Sequence, residues 1–451
     1  MAATNSMIGM AIKHNYVIRG VLWTGIYLLL VILPLAVLLL GKVPPGTVFG
    51  WDFAVALGFS ALAIMFTMFL LTARFKWTTR AFGIDIIYYF HRWIALVAFV
   101  LLLAHPLILI SEEPLLLEYL KPDAPWHMLA GNVALAAVIL LVITSVWRKA
   151  LHLHYDAWRF LHAVFAVLAV GLAMIHIVGV NYYVGAPWKR ELWLVLSVSV
   201  VLLLLHVRIV RPLLIMRHRY HVVDVSPERG DTWTMTVTPD GHPGMAFMPG
   251  QFVWLNLWHS PFAMREHPFS IASSALEPQH MQFTIKRLGD FTSTINKVKP
   301  GQHLYLDGPF GAFSIDRYPD TSGYVFVAGG IGVAPILSML RTLADRGDRR
   351  SLWLFYAYRN LEQLTAYEEL QALQQRLRLH MVIVLNDPTT DWTGERGFIT
   401  REMLQRHLPG DHTALEYFLC GPTPMTVSVE RSLGTLGVPL RRVHTELFDM
   451  V

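Results

Sequence analysis

The stretch "HRWIALVAFVLLLAH", residues 91–105, has a histidine at each end and almost nothing but apolar residues between. The stretch "HAVFAVLAVGLAMIH", residues 162–176, repeats the pattern with the same 14-residue spacing. At 1.5 Å per residue this spacing is about 21 Å along a helix, and at 100° per residue it falls about 40° short of four whole turns. Both histidines of each stretch therefore project from nearly the same helix face, one toward each end.

The surrounding composition says what solvent these helices meet. Of 451 residues, 54% are hydrophobic and only 15% charged, against roughly 25% charged in ordinary soluble domains. The excess is confined to residues before about 211, where six nearly uncharged runs lie at 21–40, 53–73, 93–110, 128–147, 160–184 and 192–207. A helix needs about 20 apolar residues to cross a bilayer core. Five runs reach that length, and the sixth is short and borrows length from Arg208, whose side chain can reach outward. The first run reads as a retained helix, because it is too long for a signal-peptide core and is followed by no clear small-residue cleavage site.

Basic residues set the expected orientation. Lys13, Arg19, Arg74, Lys76, Arg80, Arg92, Arg148, Lys149 and Arg159 lie in segments 1–20, 74–92 and 148–159, whereas the alternate loops carry Lys42, Lys121, Lys189 and Arg190. An excess of Lys and Arg marks the cytoplasmic side, so the N-terminus and everything after the sixth span are expected there, in a plasma (inner) membrane. The single cysteine, Cys420, excludes an internal disulfide and suits a reducing compartment. The net charge of +5 is not gathered into a dense basic patch, so no nucleic acid partner is indicated.

On this layout the third and fifth spans run in the same direction. His91 then lies level with His162 near the cytoplasm, and His105 with His176 near the outside. Two facing imidazoles at each depth can ligate a flat macrocycle from both sides, which predicts two stacked bis-histidine haem sites. A lone histidine in a membrane more often makes an interhelical hydrogen bond, and His206 and His14 are read that way. Four at matched depth favour ligation, since polar groups in lipid are costly. Zinc ligands on a helix stand three or four residues apart, which argues against a zinc site. His152 and His154 rival the inner ligands, but neither has a partner in register.

After residue 211 the texture changes. "TWTMTV", "QFVWLNL" and "MQFTIKRL" alternate as strands between Gly and Pro turns, predicting a small antiparallel barrel over 212–318. From 319 to 451, strands "YVFVAGG", "LWLFYAY", "HMVIVL" and "YFLCGP" alternate with helices, predicting a doubly wound nucleotide-binding sheet. "VAGGIGVAP", residues 327–335, places three glycines between a buried strand and a helix start, where backbone N–H groups can receive a pyrophosphate.

The neighbouring motifs make this specific. "HPFSIASS" (267–274) resembles the flavin-binding box of the ferredoxin reductase superfamily, and "IKRLGDFT" (285–292) resembles its second flavin segment. "DGPFG" (307–311) resembles the close of its barrel, and "CGPTPM" (420–425) resembles the segment beside the nicotinamide ring. Together with the paired membrane histidines, these motifs resemble the NADPH oxidase and ferric reductase family of transmembrane flavocytochromes over essentially the whole chain. The implied architecture is a six-helix transmembrane di-haem domain (1–211), a FAD-binding antiparallel β-barrel (212–318) and an NAD(P)H-binding α/β domain (319–451). The form of the flavin box looks like the membrane branch, and no regulatory extension is evident, as in a bare prokaryotic-type core with no obligatory protein partner.

The resemblance also implies roles. His267, Pro268, Phe269 and Ser270 would cradle the flavin, with Lys286, Gly289, Asp290, Phe291 and Thr292 along the FAD diphosphate. Gly329, Gly330, Ile331 and Gly332 would hold the nicotinamide cofactor's diphosphate, and Cys420, Gly421 and Pro422 would shape the hydride-transfer site. Arg359, ending "FYAYR", could pair with a 2′-phosphate and favours NADPH, NADH remaining possible. Family members commonly end on an aromatic residue over the flavin; here Phe448 is followed by three more residues, so its stacking role stays open. The expected reaction is electron transfer from cytosolic NAD(P)H through FAD and two b-type haems to oxygen outside, giving superoxide. A ferric chelate, or a periplasmic partner or quinone served by an electron relay, are the alternative acceptors. The outer segment "SEEPLLLEYLKPDAPWH" carries Glu112, Glu113, Glu118 and Asp123, which suit a solvated loop better than a metal site.

Overall fold

The computed structural model describes residues 16–76 and 83–447. These fall into two compact units, one comprising the chain up to 75 with 86–210, the other comprising the short segment before 86 with everything from 211 onward.

The first unit is built from six apolar helices: α1 (Tyr16–Leu38), α2 (Phe49–Thr72), α3 (Ile84–Glu112), α4 (Trp126–Val146), α5 (Tyr155–Val180) and α6 (Pro187–Leu205). All six are long and apolar enough to cross a membrane. Their outward faces are rich in exposed Leu, Val and Ile, while Phe59, Leu62, Phe66, Ala137, Ala169, Met174 and Trp193 form the interior. The sixth span is longer than its sequence suggests. A π-helical turn over His206–Val210 joins α6 to a short helix α7 (Arg211–Met216), so the helical path runs from Pro187 to Met216. Arg208 and Arg211 are carried inside a helix rather than flanking one, because the wider π-turn continues the backbone hydrogen bonding through the charged stretch.

The second unit opens with six strands: β1 (Arg219–Glu228), β2 (Thr232–Pro239), β3 (Phe252–Leu257), β4 (His267–Ser270), β5 (Met281–Lys286) and β6 (His303–Phe310). Their order is β4-β3-β6-β1-β2-β5, and every pairing is antiparallel. Just past β4 the Ala272 N–H donates to Gln282 O at 2.8 Å, so the two edge strands curl toward each other. Alternate residues such as Val222, Met235, Val237, Leu255, Phe283 and Leu304 fill the interior, as period-2 patterning requires.

The remainder alternates strand and helix: β7 (Gly323–Gly329), α8 (Val333–Asp345), β8 (Ser351–Tyr358), α9 (Tyr367–Arg376), β9 (Arg378–Leu385), β10 (Glu395–Arg396), α10 (Arg401–His407), β11 (Glu416–Cys420), α11 (Thr423–Thr435) and β12 (Val443–Glu446). The sheet order is β10-β9-β8-β7-β11-β12, with all pairs parallel. Every residue of β7 and β11 is buried, as befits central strands covered on both faces. The strand order reverses between β7 and β11, and the crevice at their carboxyl ends is where such sheets receive ligands.

Candidate electron-transfer site

In the membrane unit the four histidines meet in two pairs. The His91 and His162 ring centroids are 6.3 Å apart, and those of His105 and His176 are 6.5 Å apart. A metal–imidazole bond is about 2 Å long and a ring nitrogen stands roughly 1 Å from its ring centre, so two imidazoles opposed on one metal have centroids about 6 Å apart. Both pairs have that span. His91 and His162 each stand in the second turn of their helix, so their pair lies at the end of the bundle from which the chain leaves α6.

The outward ring edges of His105 and His176 are tied down. His105 Nδ1 lies 2.8 Å from Ala54 O on α2, and His176 Nδ1 lies 3.0 Å from His127 O on α4. A carbonyl only accepts, so each Nδ1 carries the proton and each Nε2 keeps the lone pair a metal requires. Close approach is possible because the facing residues are glycines. A Cβ on Gly58 would stand 3.0 Å from His105 Nδ1, and one on Gly131 2.7 Å from His176 Nδ1. Among the described residues no three His, Cys, Asp or Glu side chains converge, and His152 is exposed in a turn away from any pairing. The donor set thus fits two metals, each held by two imidazoles, which is the ligation of a b-type haem.

In the second unit the flavin box forms β4. Phe291 stacks on His267 with centroids 4.0 Å apart and lies 5.8 Å from the Phe269 ring, so the two segments build one aromatic wall. The hydroxyls of Ser270 and Ser273 are buried and have no partner among the described residues, an arrangement that a polar ligand such as the flavin would complete. Lys286 is directed toward the α/β part, donating to the Tyr358 hydroxyl at 3.1 Å. Thr292 Oγ1 accepts from the N–H groups of Leu288 and Gly289, each at 2.9 Å, which shapes the loop holding Gly289 and Asp290.

At the β7/β11 switch point the glycines divide their work. A Cβ on Gly329 would meet Met425 at 2.7 Å and Pro422 at 2.8 Å, and one on Gly332 would meet Cys420 O at 2.2 Å, so both permit the two strand ends to pack together. Gly330 has φ +56° and nothing near its absent side chain, leaving open space for a ligand's approach. Tyr356, kept protonated by burial, donates to Gly330 O at 3.2 Å and fixes the turn. Ile331 lies within this turn, and the N-terminus of α8 beyond it has no side-chain cap, which suits a pyrophosphate.

Cys420 is fully buried among Phe313, Ala328 and Phe418. Burial, with the Glu446 carboxylate nearby, pushes its thiol well above the ordinary range. Glu446 pairs with Cys420 in register and was not singled out in the sequence; a buried carboxylate three residues from the last strand's start, in "HTELF", was the available signal. Gly421 and Pro422 link β11 to α11, with Pro422 at the helix N-cap. Arg359 stands exposed with Nε 3.8 Å from Asp387 Oδ2, a neighbour that sequence spacing does not reveal. Phe448 lies outside the described residues.

Three family models match in the order of this architecture. They are the ferric reductase like transmembrane component over 57–173, the FAD-binding domain over 218–314 and the oxidoreductase NAD-binding domain over 326–431. Together they give the chain the NADPH oxidase / ferric reductase-like architecture. Among curated proteins, the flavoreductase half is 32% identical over 218 residues to ferredoxin–NADP reductase B of Sorangium cellulosum, covering 46% of this chain and 88% of that one. It is 31% identical over 239 residues to the glycine betaine monooxygenase reductase subunit of Chromohalobacter salexigens, covering 51% of this chain but only 64% of that relative's length. A flavohemoglobin from Malassezia yamatoensis, solved with FAD and heme, is similar in fold with a TM-score of 0.50 at 17% identity, covering 88% of this chain and 97% of that one. The FAD and nucleotide modules mark this ferric reductase-like protein as an oxidoreductase.

Proposed function

We propose that the protein carries electrons across the membrane from cytosolic NAD(P)H through FAD and two b-type haems to oxygen on the outer side, giving superoxide. The observation that carries this reading is the pair of imidazole pairs, 6.3 and 6.5 Å between centroids, beside a complete flavin and nucleotide module. When bound, FAD would take two electrons as hydride and release them one at a time, and the haems would pass them on singly. The protein's part is placement. Gly330 and the start of α8 receive the dinucleotide, Phe269 and Phe291 wall the flavin, and the four histidines hold the haems at two depths. The plasma membrane, with the reductase half cytoplasmic, is the location that the distribution of Lys and Arg favours.

With His105 and His176 both holding the outer haem, an acceptor would be reduced without binding its iron, which suits oxygen and is open to a ferric chelate as well. Oxygen is preferred because the outer loops present no cluster specific enough for a dedicated metal site among the described residues. The outer acidic segment is also spent on local structure. Glu113 accepts from Leu115 N at 3.4 Å and Glu118 pairs with Lys121. As donor, NADPH is proposed on the strength of Arg359, although a 2′-phosphate must compete with Asp387 for it. Arg359→Ala should then raise KM for NADPH and leave NADH nearly unaffected.

The test is reconstitution in vesicles with NADPH on the reductase side. Superoxide should appear on the other side without any added partner and disappear when His105 or His176 is replaced. Turnover that is slow with oxygen but fast with ferric chelates, equally so without air, would replace oxygen by a ferric chelate as acceptor. Turnover only after addition of a quinone or periplasmic extract would establish a relay subunit.

A further inference from the structure

The four imidazoles are not held alike, and the difference singles out one serine. His105 and His176 are both anchored at Nδ1 by backbone carbonyls. In the other pair, His91 Nδ1 is buried with no hydrogen-bond partner among the described residues, and His162 Nδ1 lies 3.2 Å from Ser145 Oγ on α4. Among the four, Ser145 is the sole anchor that belongs to a side chain.

Hydroxyls in spanning helices ordinarily bond back to their own helix. Ser60, Ser197 and Ser199 do so, donating to the carbonyls of Ala56, Trp193 and Val195. Ser145 also donates back, to Leu141 O at 2.6 Å, but its two lone pairs are used as well. One receives the indole N–H of Trp158 at 3.3 Å, which leaves the other for His162. A hydroxyl has one proton and two lone pairs. Its proton is committed to Leu141, so the bond to His162 requires the proton on Nδ1, which fixes the lone pair on Nε2, the nitrogen free to bind a metal. Trp158 is itself held, because the Arg148 guanidinium lies 5.6 Å from the Trp158 ring centre and 5.4 Å from that of Tyr155.

We infer that Ser145, oriented by Trp158, is a positioning residue that sets the tautomer of His162 and thereby lowers the redox potential of the haem shared by His91 and His162. The inference rests on the two-haem reading above. A hydrogen bond from Nδ1–H makes the opposite nitrogen a more electron-rich ligand, and such a ligand stabilises oxidised iron over reduced iron. Removing the acceptor raises the potential. Because the carbonyl-held pair keeps both its anchors, only one of the two haems responds.

The experiment is a potentiometric titration of the haem absorbance in the full-length protein, which reads potential rather than turnover. The wild type should show two components. In Ser145→Ala, the component that is missing from His91→Leu should move to higher potential while the other stays, and Ser145→Thr, which keeps the hydroxyl, should stay with the wild type. Trp158→Phe, which frees Oγ to accept more fully from His162, should move the same component the other way. Two unmoved components, two components moving together, or Thr behaving as Ala would overturn the inference while leaving two haems in place. If Ser145→Ala does not accumulate, Trp158→Phe decides: a shift to lower potential confined to that component supports the inference, and no shift or a shift to higher potential overturns it. Fewer than two haems in the wild type would instead remove the two-haem reading on which it stands.

Discussion

At the scale of single residues, glycine does as much for the proposed haem sites as histidine. A methyl group on Gly131 would stand 2.7 Å from His176 Nδ1 and 3.0 Å from its Cγ, against 3.0 Å from His105 Nδ1 for one on Gly58. Overpacking of this kind costs about 1–3 kcal/mol, whereas Gly to Ala inside a helix is worth up to about 1 kcal/mol in propensity. Gly131→Ala should therefore keep its helix and lose haem, falling from two per chain toward one in a pyridine haemochrome assay, with Gly58→Ala milder. Unchanged stoichiometry in both would mean the rings are free to move. The Cys420 thiol makes the opposite point, that a motif residue can be buried. Its raised pKa keeps it protonated in the fold while an unfolded thiol ionises above about 8.5. Its contribution to stability is thus complete below that pH and lost as pH rises. Iodoacetamide at pH 8 should label it only in denaturant, and melting temperature should fall less between pH 8.5 and 9.5 in Cys420→Ala than in the wild type. The histidine pairs were legible in sequence because four polar residues recur in apolar runs. Ser145 was not, since a serine that bonds back to its own helix reads the same as one that also holds a ligand.

At the scale of elements, all six spans were legible because length and apolarity define a bilayer crossing, and only the length of the sixth was understated, because a π-turn does not announce itself in composition. Lys189 was misjudged. It reads as a loop charge on the outer side, yet it is fully buried in the first turn of α6 and donates to Leu38 O at 2.5 Å and Lys42 O at 2.9 Å. A cation here both satisfies carbonyls at the end of α1 and opposes the helix dipole. Leaving a buried acceptor unpaired costs about 1–3 kcal/mol. Lys189→Met should lower the thermal midpoint of the detergent-solubilised protein, followed by circular dichroism, and Lys189→Arg should recover part of the loss. Equal midpoints for Met and wild type would mean that water replaces the ammonium. The strand and helix order of the reductase half was plain from periodicity, but the meeting of "AGGIG" and "CGPTPM" was not. It depends on β11 returning beside β7 across three intervening strands and three helices, a parallel pairing that no local pattern encodes.

At the scale of the whole molecule, the proposed relay moves charge as well as electrons, and this separates it from a reductase that merely sits in the membrane. Two imidazole pairs, set 14 residues apart on each of two spanning helices, place the proposed haems at different depths. Moving one elementary charge across the full membrane is worth about 2.3 kcal/mol per 100 mV. With the interior negative, outward electron transfer is favoured, and turnover itself makes the donor side more positive. In sealed vesicles containing no initial potential, with NADPH supplied on the reductase side, each electron delivered to the far side should therefore build a potential that opposes the next. The rate should decline within the run and recover when valinomycin and potassium allow compensating cation flow, while a potential-sensitive dye reports the donor side as positive. Replacing His105 should abolish the dye signal even if flavin-level oxidation of NADPH persists, because electrons then return to the side from which they came. Sustained turnover that valinomycin does not accelerate and that raises no dye signal would mean donor and acceptor react on one face, and the membrane helices would then need a role other than conduction.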